Sequence, residues 1–486
     1  MDFAFDNSFH DSMEGFYAPA EAAKPSAPTL LIFNHALAAR LGIDVADASD
    51  EQLARLFSGE EMPGGADPLA LAYAGHQFGH FSPQLGDGRA LLLGEIVAPD
   101  GERFDVQLKG SGPTPFSRSG DGKAAIGPVL REYLISEAMA AMDIPTTRSL
   151  AAVATGDRVQ REQGHPGAVL TRIASSHIRV GTFQFFAAHF GADHVIQLSD
   201  YVVRRHFPDL AEAVNPHLAL LDRVIGLQCD LVARWLGVGF IHGVMNTDNV
   251  AISGETIDYG PCAFMDRFAV NTVFSSIDAN GRYAYGRQPQ ILHWNMARFA
   301  EALLPAIHAV DPADVEAAKA LVDGIPERFR TVWHARVRAK LGLGDGAADP
   351  ALVDDLFAQL EEHGVDFTSF FRALAMLLRG EGAMLERLLP AADTMAPWIA
   401  GWWEHIEREP AGPLEIADAM DAVNPLYIPR NHLVEAALGA AEGGDLASWS
   451  ELLDVVRHPY VERPEWPLFA GPAPAEFGPY KTFCGT

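Results

Sequence analysis

The sequence is poor in cysteine, in basic charge and in uninterrupted apolar runs. Three cysteines in 486 residues exclude a disulfide framework. Against 64 Asp and Glu stand only 36 Lys and Arg, a net charge of −28. Such a chain lacks the basic face that nonspecific binding to nucleic acid or an anionic membrane requires. No run of about 18 uncharged apolar residues suggests a membrane span. The opening Met1-Asp2-Phe3-Ala4-Phe5-Asp6 lacks the basic, apolar, cleavable order of a signal peptide. The expectation is a soluble cytoplasmic protein with neither a nucleic-acid nor a membrane partner. A hydrophobic content of 48% and a charged content of 21% are those of a globular protein. The length suits two or three domains, or one large bilobal unit with extensions. A polyanionic nucleotide stays compatible with the acidic total, because metal ions and a few local arginines set the potential in a site.

What is present centres on 242–260, His-Gly-Val-Met-Asn-Thr-Asp-Asn-Val followed, after a short bridge, by Ile-Asp-Tyr-Gly. A long helix is predicted upstream at 218–240, and two short strands downstream at 250–253 and 255–257 around Gly254. Helix, polar loop, hairpin and Asp-aromatic-Gly resembles the catalytic-loop layout of protein kinases, where an Asn and the Asp of Asp-Phe-Gly hold metal ions on nucleotide phosphates. One position departs from it. Kinases place a proton-accepting Asp five residues before that Asn, and here the position is Val244, with a carboxylate instead at Asp248. Losing a general base costs roughly 10²–10⁴-fold in rate, so the loop suits holding a metal-bound nucleotide better than ordinary phosphoryl transfer.

The first half of the chain supplies candidates for the phosphates. In 1–70 only a helix at 50–58, capped by Ser49, is readable. His76 and His80 have the i, i+4 spacing of two metal ligands on one helix face, although Gly75, Gly79 and Pro83 make a helix poor there. Gly86-Asp87-Gly88-Arg89 is a turn through which backbone N–H groups and an Arg can approach phosphate, and equally a common hairpin turn. A strand at 90–97 follows. The half-buried strand 104–109 ends in Lys109, where kinase-like folds place a phosphate-binding lysine. The Gly, Ser, Thr and Pro-rich stretch 110–127, with Asp121 and Gly122 at its centre, reads as a loop that could fold over a ligand. In the helix 128–142, Glu132 is preferred over Glu137 as the partner of Lys109. Strands at 149–155, 157–160 and 168–171 precede Arg172 and Arg179, which could reach a triphosphate. Helices dominate afterwards, up to a Pro-rich tail at 458–486. The fold class expected is α+β, a kinase-like bilobal arrangement with a β-rich lobe at 71–178, a helical lobe at 179–400 and extensions at 1–70 and 401–486.

Taken together, Gly-His-Gln-Phe-Gly (75–79), Gln-Leu-Gly-Asp-Gly-Arg (84–89), Gln-Leu-Lys-Gly-Ser-Gly (107–112), the loop 242–249 and Ile-Asp-Tyr-Gly-Pro (257–261) closely resemble the selenoprotein O family from about residue 5 to the C-terminus. The resemblance implies a pseudokinase that transfers AMP from ATP to Ser, Thr or Tyr hydroxyls of other proteins, with the nucleotide flipped relative to active kinases. It assigns nucleotide binding to Gly86, Gly88, Arg89, Lys109, Asp121, Gly122, Arg172, Arg179 and Asp258, with Glu132 pairing Lys109. It assigns Mg²⁺ or Mn²⁺ to Asn249 and Asp258, and proton acceptance to Asp248. Cys484 matches the position where some members carry selenocysteine, with Cys262 as the preferred disulfide partner and Cys229 as the other thiol. Redox-linked protein targets are a family-level expectation. UMP transfer with Mn²⁺, a conventional phosphotransferase and a non-catalytic ATP-binding scaffold are the alternatives.

Overall fold

Phe104, Val106 and Leu108 alternate with Asp105, Gln107 and Lys109 along one strand, and this period of two decides where the chemistry lies. The first set is buried in an apolar cluster under the sheet. The second points to the opposite face, where Gln107 and Lys109 meet charged partners. The computed structural model describes residues 3–161, 163–344, 350–389, 391 and 394–483. The strand Arg103–Lys109 lies in the middle of an antiparallel sheet in the order Tyr17–Pro19, Leu69–Leu71, Ala90–Val97, Arg103–Lys109, Gly164–Ala174, Arg148–Gln160, Thr29–Phe33, with Ala124–Ala125 pairing Gly164–Ala174 as well. Register sets Arg172 opposite Gln107, so Arg172 shares the polar face with Lys109. Residues 1–70 supply both edges of this sheet.

The helix Ile126–Ala141 is buried from Val129 to Met139, because it lies between the sheet and later helices. This placement brings Glu132 to the polar face. The second half is helical. Its longest members are Pro216–Gly237, started by the Asn215 side chain accepting from Leu218 N at 3.2 Å, and Gln288–Val310. The architecture is thus α+β, with strands concentrated in the first half and helices in the second. Among the described residues no helix is long and apolar enough to cross a membrane.

Several expectations need correction. Residues 250–257 do not form a hairpin. The chain here bonds outward, Val180 N to Val250 O at 2.9 Å, Ile252 N to Ile178 O at 3.1 Å and Thr147 N to Thr256 O at 3.0 Å, so its partners are distant segments. The strands expected at 149–155 and 157–160 are one strand, Arg148–Gln160, which bends at Gly156 (φ 77°) where its register against Gly164–Ala174 shifts and then resumes. His76 and His80 lie on the two arms of a small hairpin, Gly75–Gln77 with His80–Ser82, and not on a helix face. The helix at 50–58 holds as Asp50–Ser58, with a capping box between Ser49 and Gln52. The helix Ala396–Ile406 was not expected.

Candidate active site

The polar face of the sheet and the loop after Ile241 meet at Asp258. Its backbone is left-handed (φ 63°), a conformation that costs a non-glycine residue on the order of 1 kcal/mol and is kept only where the surroundings hold it. Three cations do so. Lys109 Nζ and Arg172 Nη1 each lie 2.7 Å from Oδ1, and Arg179 Nη1 lies 2.7 Å from Oδ2. Burial alone would raise the Asp258 pKa, but Lys109, Arg172 and Arg179 hold it well below the usual carboxylate range. Glu132 closes the cluster, 2.6 Å from Lys109 and 3.3 Å from Arg172. The choice between Glu132 and Glu137 is therefore resolved by geometry. Glu137 faces the other way and pairs with Arg148 at 2.8 Å and Arg457 at 3.1 Å.

The loop itself is rigidly held. Burial depresses the His242 pKa, so its ring is neutral. Its Nδ1 accepts from Val244 N at 3.4 Å, which leaves Nε2–H to donate to Ile257 O at 2.9 Å. Asn249 Nδ2 donates to Val244 O at 3.0 Å. Asn246 Oδ1 accepts from Tyr283 Oη at 2.6 Å and Phe78 N at 3.1 Å, and Thr247 Oγ1 accepts from His76 N at 2.7 Å. The small hairpin 75–82 is thus fastened to the loop. Gly75 is required there, since a Cβ would sit 2.2 Å from Asp248 Oδ1.

Asp248 differs from Asp258 in what its side-chain oxygens meet. It is buried, its Oδ1 has no hydrogen-bond partner, and Gln77 Nε2 reaches its Oδ2 at 3.4 Å. Burial pushes its pKa up to about 6, offset only in part by its own backbone N–H and by Arg179, whose Nη1 bonds the Asp248 carbonyl 2.7 Å away.

Asp248 opens on a cavity of about 290 Å³ that gathers Gly86, Gly88, Arg89, Asp121 and Gly122 from the sequence-derived set, together with Gln77, Arg118, Lys123 and Arg161. Gly86 carries no side chain because the Phe116 ring lies there, 2.3 Å from where a Cβ would be, and so the loop 110–123 closes on the glycine turn. The loop is fastened at its far end. Arg161 grips Asp121 through both guanidinium nitrogens at 3.0 and 3.2 Å, and Lys123 meets Asp157 at 2.9 Å. Lys109, Arg172, Arg179, Glu132 and Asp258 form the buried cluster beside this cavity. Asn249 is half-buried on the same loop as Asp248.

Sequence reasoning passed over Arg161, Gln77, Tyr73 and Asp87. Asp87 is buried 3.7 Å from Arg179 and accepts from Leu71 N and Gln107 Nε2, both at 3.2 Å. Tyr73 lies under the Arg179 guanidinium at 4.6 Å. Asp87 stood inside the quoted Gly-Asp-Gly-Arg turn, whereas nothing local marks Arg161 or Tyr73. Cys262 and Cys229 are buried free thiols, each pushed up to about 11 by burial. Cys484, the expected redox partner, lies outside the described residues.

Among the described residues no group of three His, Cys, Asp or Glu side chains could cage a metal ion. The donors on offer are the amides and carboxylates of Asn249, Asp258 and Asp248. With its nitrogen on Val244 O, Asn249 has its side-chain oxygen left for a cation. Of the two Asp258 oxygens, Oδ2 has one donor and Oδ1 two. Two hard oxygens fit a Mg²⁺- or Mn²⁺-type ion whose other ligands come from phosphates and water.

A family model described as protein adenylyltransferase SelO matches residues 1–457. Proteins named protein nucleotidyltransferase YdiU are similar along the whole chain. The one from Sphingopyxis alaskensis is 79% identical over 487 residues, covering 100% of both chains. One from Cereibacter sphaeroides is 55% identical over 489 residues, again 100% of both. The one from Chromobacterium violaceum is 54% identical over 475 residues, 97% of this chain and 99% of that one. With full-length relatives at this identity and the motif residues divided between one cavity and the ion cluster beside it, the chain belongs to the SelO family and is a nucleotidyltransferase.

Proposed function

We propose that this enzyme transfers AMP from ATP to Ser, Thr or Tyr hydroxyls of target proteins and releases pyrophosphate. The observation that carries the reading is the contrast between Asp258, held by three cations, and Asp248, which lines the neighbouring cavity with a bare oxygen. In this reading 71–178 and 179–400 act as the two lobes of a kinase-like enzyme, with 1–70 and 401–486 as extensions. Lys109, Arg172 and Arg179 are the natural partners of a triphosphate, since each is already desolvated and loses little freedom on binding. Arg89, Gly86, Gly88, Asp121 and Gly122 line the cavity where the rest of the nucleotide sits, flipped so that its α-phosphorus faces Asp248.

The acceptor oxygen attacks the α-phosphorus, the bond from that phosphorus to the bridging oxygen of the β-phosphate breaks, and the hydroxyl proton passes to Asp248. A carboxylate raised to about 6 suits this role, because proton acceptors work best with pKa values near the operating pH. No residue is needed at Val244, whose carbonyl instead orients Asn249. Asn249 and Asp258 would hold a Mg²⁺ or Mn²⁺ ion, whose positive charge would favour departure of the pyrophosphate.

The test is incubation of the protein and a cell extract with ATP labelled at either the α- or the γ-phosphate, with UTP labelled at the α-phosphate in parallel. Protein label from α-ATP only, lost in Asp258→Ala, supports AMP transfer. Label from γ-ATP would mean ordinary kinase orientation, label from UTP alone would make the enzyme a uridylyltransferase, and label from none would leave a nucleotide-binding scaffold.

A further inference from the structure

We propose that Arg282, Trp294 and Arg298 form the docking surface for the protein substrate, and that it takes an acidic segment flanking the acceptor hydroxyl. The inference rests on the reading of Asp248 as proton acceptor and names the class of substrate that reaches it.

The surface begins where the catalytic loop ends. Gln77 touches Asp248, and its neighbour His76 meets the Trp294 ring edge-on at 5.1 Å. The Trp294 ring carries two guanidinium groups, Arg282 at 4.9 Å and Arg298 at 5.3 Å from its centre. Arg282 also lies against the turn at Gly79, where a Cβ would be 3.5 Å from its Cζ. Phe81 is 42% exposed on the same hairpin, 4.9 Å from His76. An apolar and cationic wall therefore runs outward from Asp248, starting at Gln77, one side chain of the cavity that carries Arg89, Arg118, Lys123 and Arg161. The cavity's own cations serve the nucleotide, and this wall serves what attacks it.

Charge selects the partner. From Arg267 to Ala300 the sequence holds four arginines and a single acid, Asp278, in a chain with almost twice as many acids as bases. Asp278 is taken up by backbone, its two oxygens accepting from Arg282 N and Tyr283 N at 2.8 Å each. Among the described residues no carboxylate forms an ion pair with Arg282, while Arg298 shares its charge with Glu301 at 2.6 Å. Arginines of the helix Ile325–Lys340, by contrast, are neutralised by acids of that helix and of Pro216–Gly237. There Arg328 pairs with Asp222, Arg330 with Glu327 and Arg336 with Asp230. An unpaired guanidinium stacked on an aromatic ring binds carboxylates through its free edge while its face stays covered. A net charge of −28 repels acidic proteins at long range, so this local cationic wall selects the sequence around the acceptor and does not speed encounter.

The test uses the full-length protein and three fluorescent peptides that share a central Ser and Tyr acceptor and differ only in flanks of Glu, Gln or Lys. Binding is read by anisotropy at physiological salt, and transfer by label from α-ATP. The expected result is about tenfold tighter binding of the Glu peptide than the Gln peptide, with the difference abolished in Arg282→Gln/Arg298→Gln. The charge-reversed Arg282→Glu/Arg298→Glu is expected to bind the Lys peptide better than the wild type does, a gain that a misfolded variant cannot show. Equal affinity for the Glu and Gln peptides, or a Glu preference that survives both double substitutions, overturns the proposal. A Glu preference without label on any peptide upholds the docking surface and removes the AMP-transfer reading instead.

Discussion

Two buried ionic centres, one around Arg430 and one around Asp258, use the same residue types for opposite ends. Arg430 is fully buried. Its Nη1 lies 2.6 Å from Asp266 and 2.7 Å from Asp366, and its Nη2 donates to Asp366 at 3.0 Å and to Ala470 O at 2.8 Å. Asp366 also caps the helix Phe367–Leu378 through Ser369 N at 2.8 Å. This centre ties three distant segments around a guanidinium that is wholly enclosed, with Asp366 buried and only Asp266 partly open to solvent. At Asp258 the proportion is reversed, with three cations on one carboxylate that remains 23% exposed. A closed cluster with one cation fixes the chain. An open one with several cations can exchange a carboxylate for a phosphate without fresh desolvation, because the cost of burying the cations is met by folding.

Asp248 stands outside both centres, and removing it is expected to have the largest effect on chemistry. Asp248→Ala should lower kcat by roughly 10²–10⁴-fold with KM for ATP little changed, as read by α-label transfer. Stability should hold or rise, since a buried carboxylate without a counter-ion goes with it. Unchanged kcat would remove Asp248 from proton transfer. Arg430→Met comes next and should act on stability alone. It strands Asp266 and Asp366, so a loss of roughly 3–5 kcal/mol is expected in denaturant unfolding, with activity per folded molecule retained. A loss below about 1 kcal/mol would mean that water reaches the Arg430 centre and that the two centres differ less than their burial implies.

The contrast was only half legible in the sequence. Lys109, Asn249 and Asp258 could be placed because each ends or follows a regular element whose period is visible. Phe104, Val106 and Leu108 fix the face on which Lys109 emerges, and the long helix before Phe240 fixes the start of the loop. What stayed hidden is set by contacts across long separations. The short apolar runs around Gly254 look like strands, but their bonding partners are residues 145–147 and 178–180, which no local pattern reveals. Glu132 and Glu137 are both acids on one helix, and the choice depends on Arg148 and Arg457 claiming Glu137. The Arg430 centre was not foreseen, since Asp266, Asp366 and Arg430 lie far apart in a part of the chain read only as helices.

Asp258→Asn probes the open centre from the other side. It removes one negative charge among three cations and deletes a metal donor. Transfer should fall by at least about 10²-fold, while metal-free ATP binds as tightly as before or tighter. Stability should drop by less than half of the Arg430→Met loss, because the amide keeps the shape of the carboxylate and the cations it frees retain Glu132 as a partner. Weaker metal-free binding would show that Asp258 orients Lys109, Arg172 and Arg179 more than it competes with phosphate for them.

The smallest effect is expected at the lip of the same cavity. Arg161 and Asp121 form a two-pronged pair, but with side-chain exposures of 26% and 41% the pair contributes at most about 1 kcal/mol to folding. Its role is local, since the guanidinium also donates to Lys123 O at 2.9 Å and so holds the loop 110–123 over the glycine turn at Gly86. Arg161→Gln should leave unfolding within error of the wild type and raise KM for ATP by about three- to tenfold, with kcat nearly unchanged, because ordering the loop is then charged to nucleotide binding. Arg161→Lys should recover only part of the loss, as one ammonium cannot hold both oxygens of Asp121 and the Lys123 carbonyl together. An unchanged KM would assign the pair to the surface and leave Asp121 to reach the nucleotide without help, so that the openness of the Asp258 centre would rest on its buried cations alone.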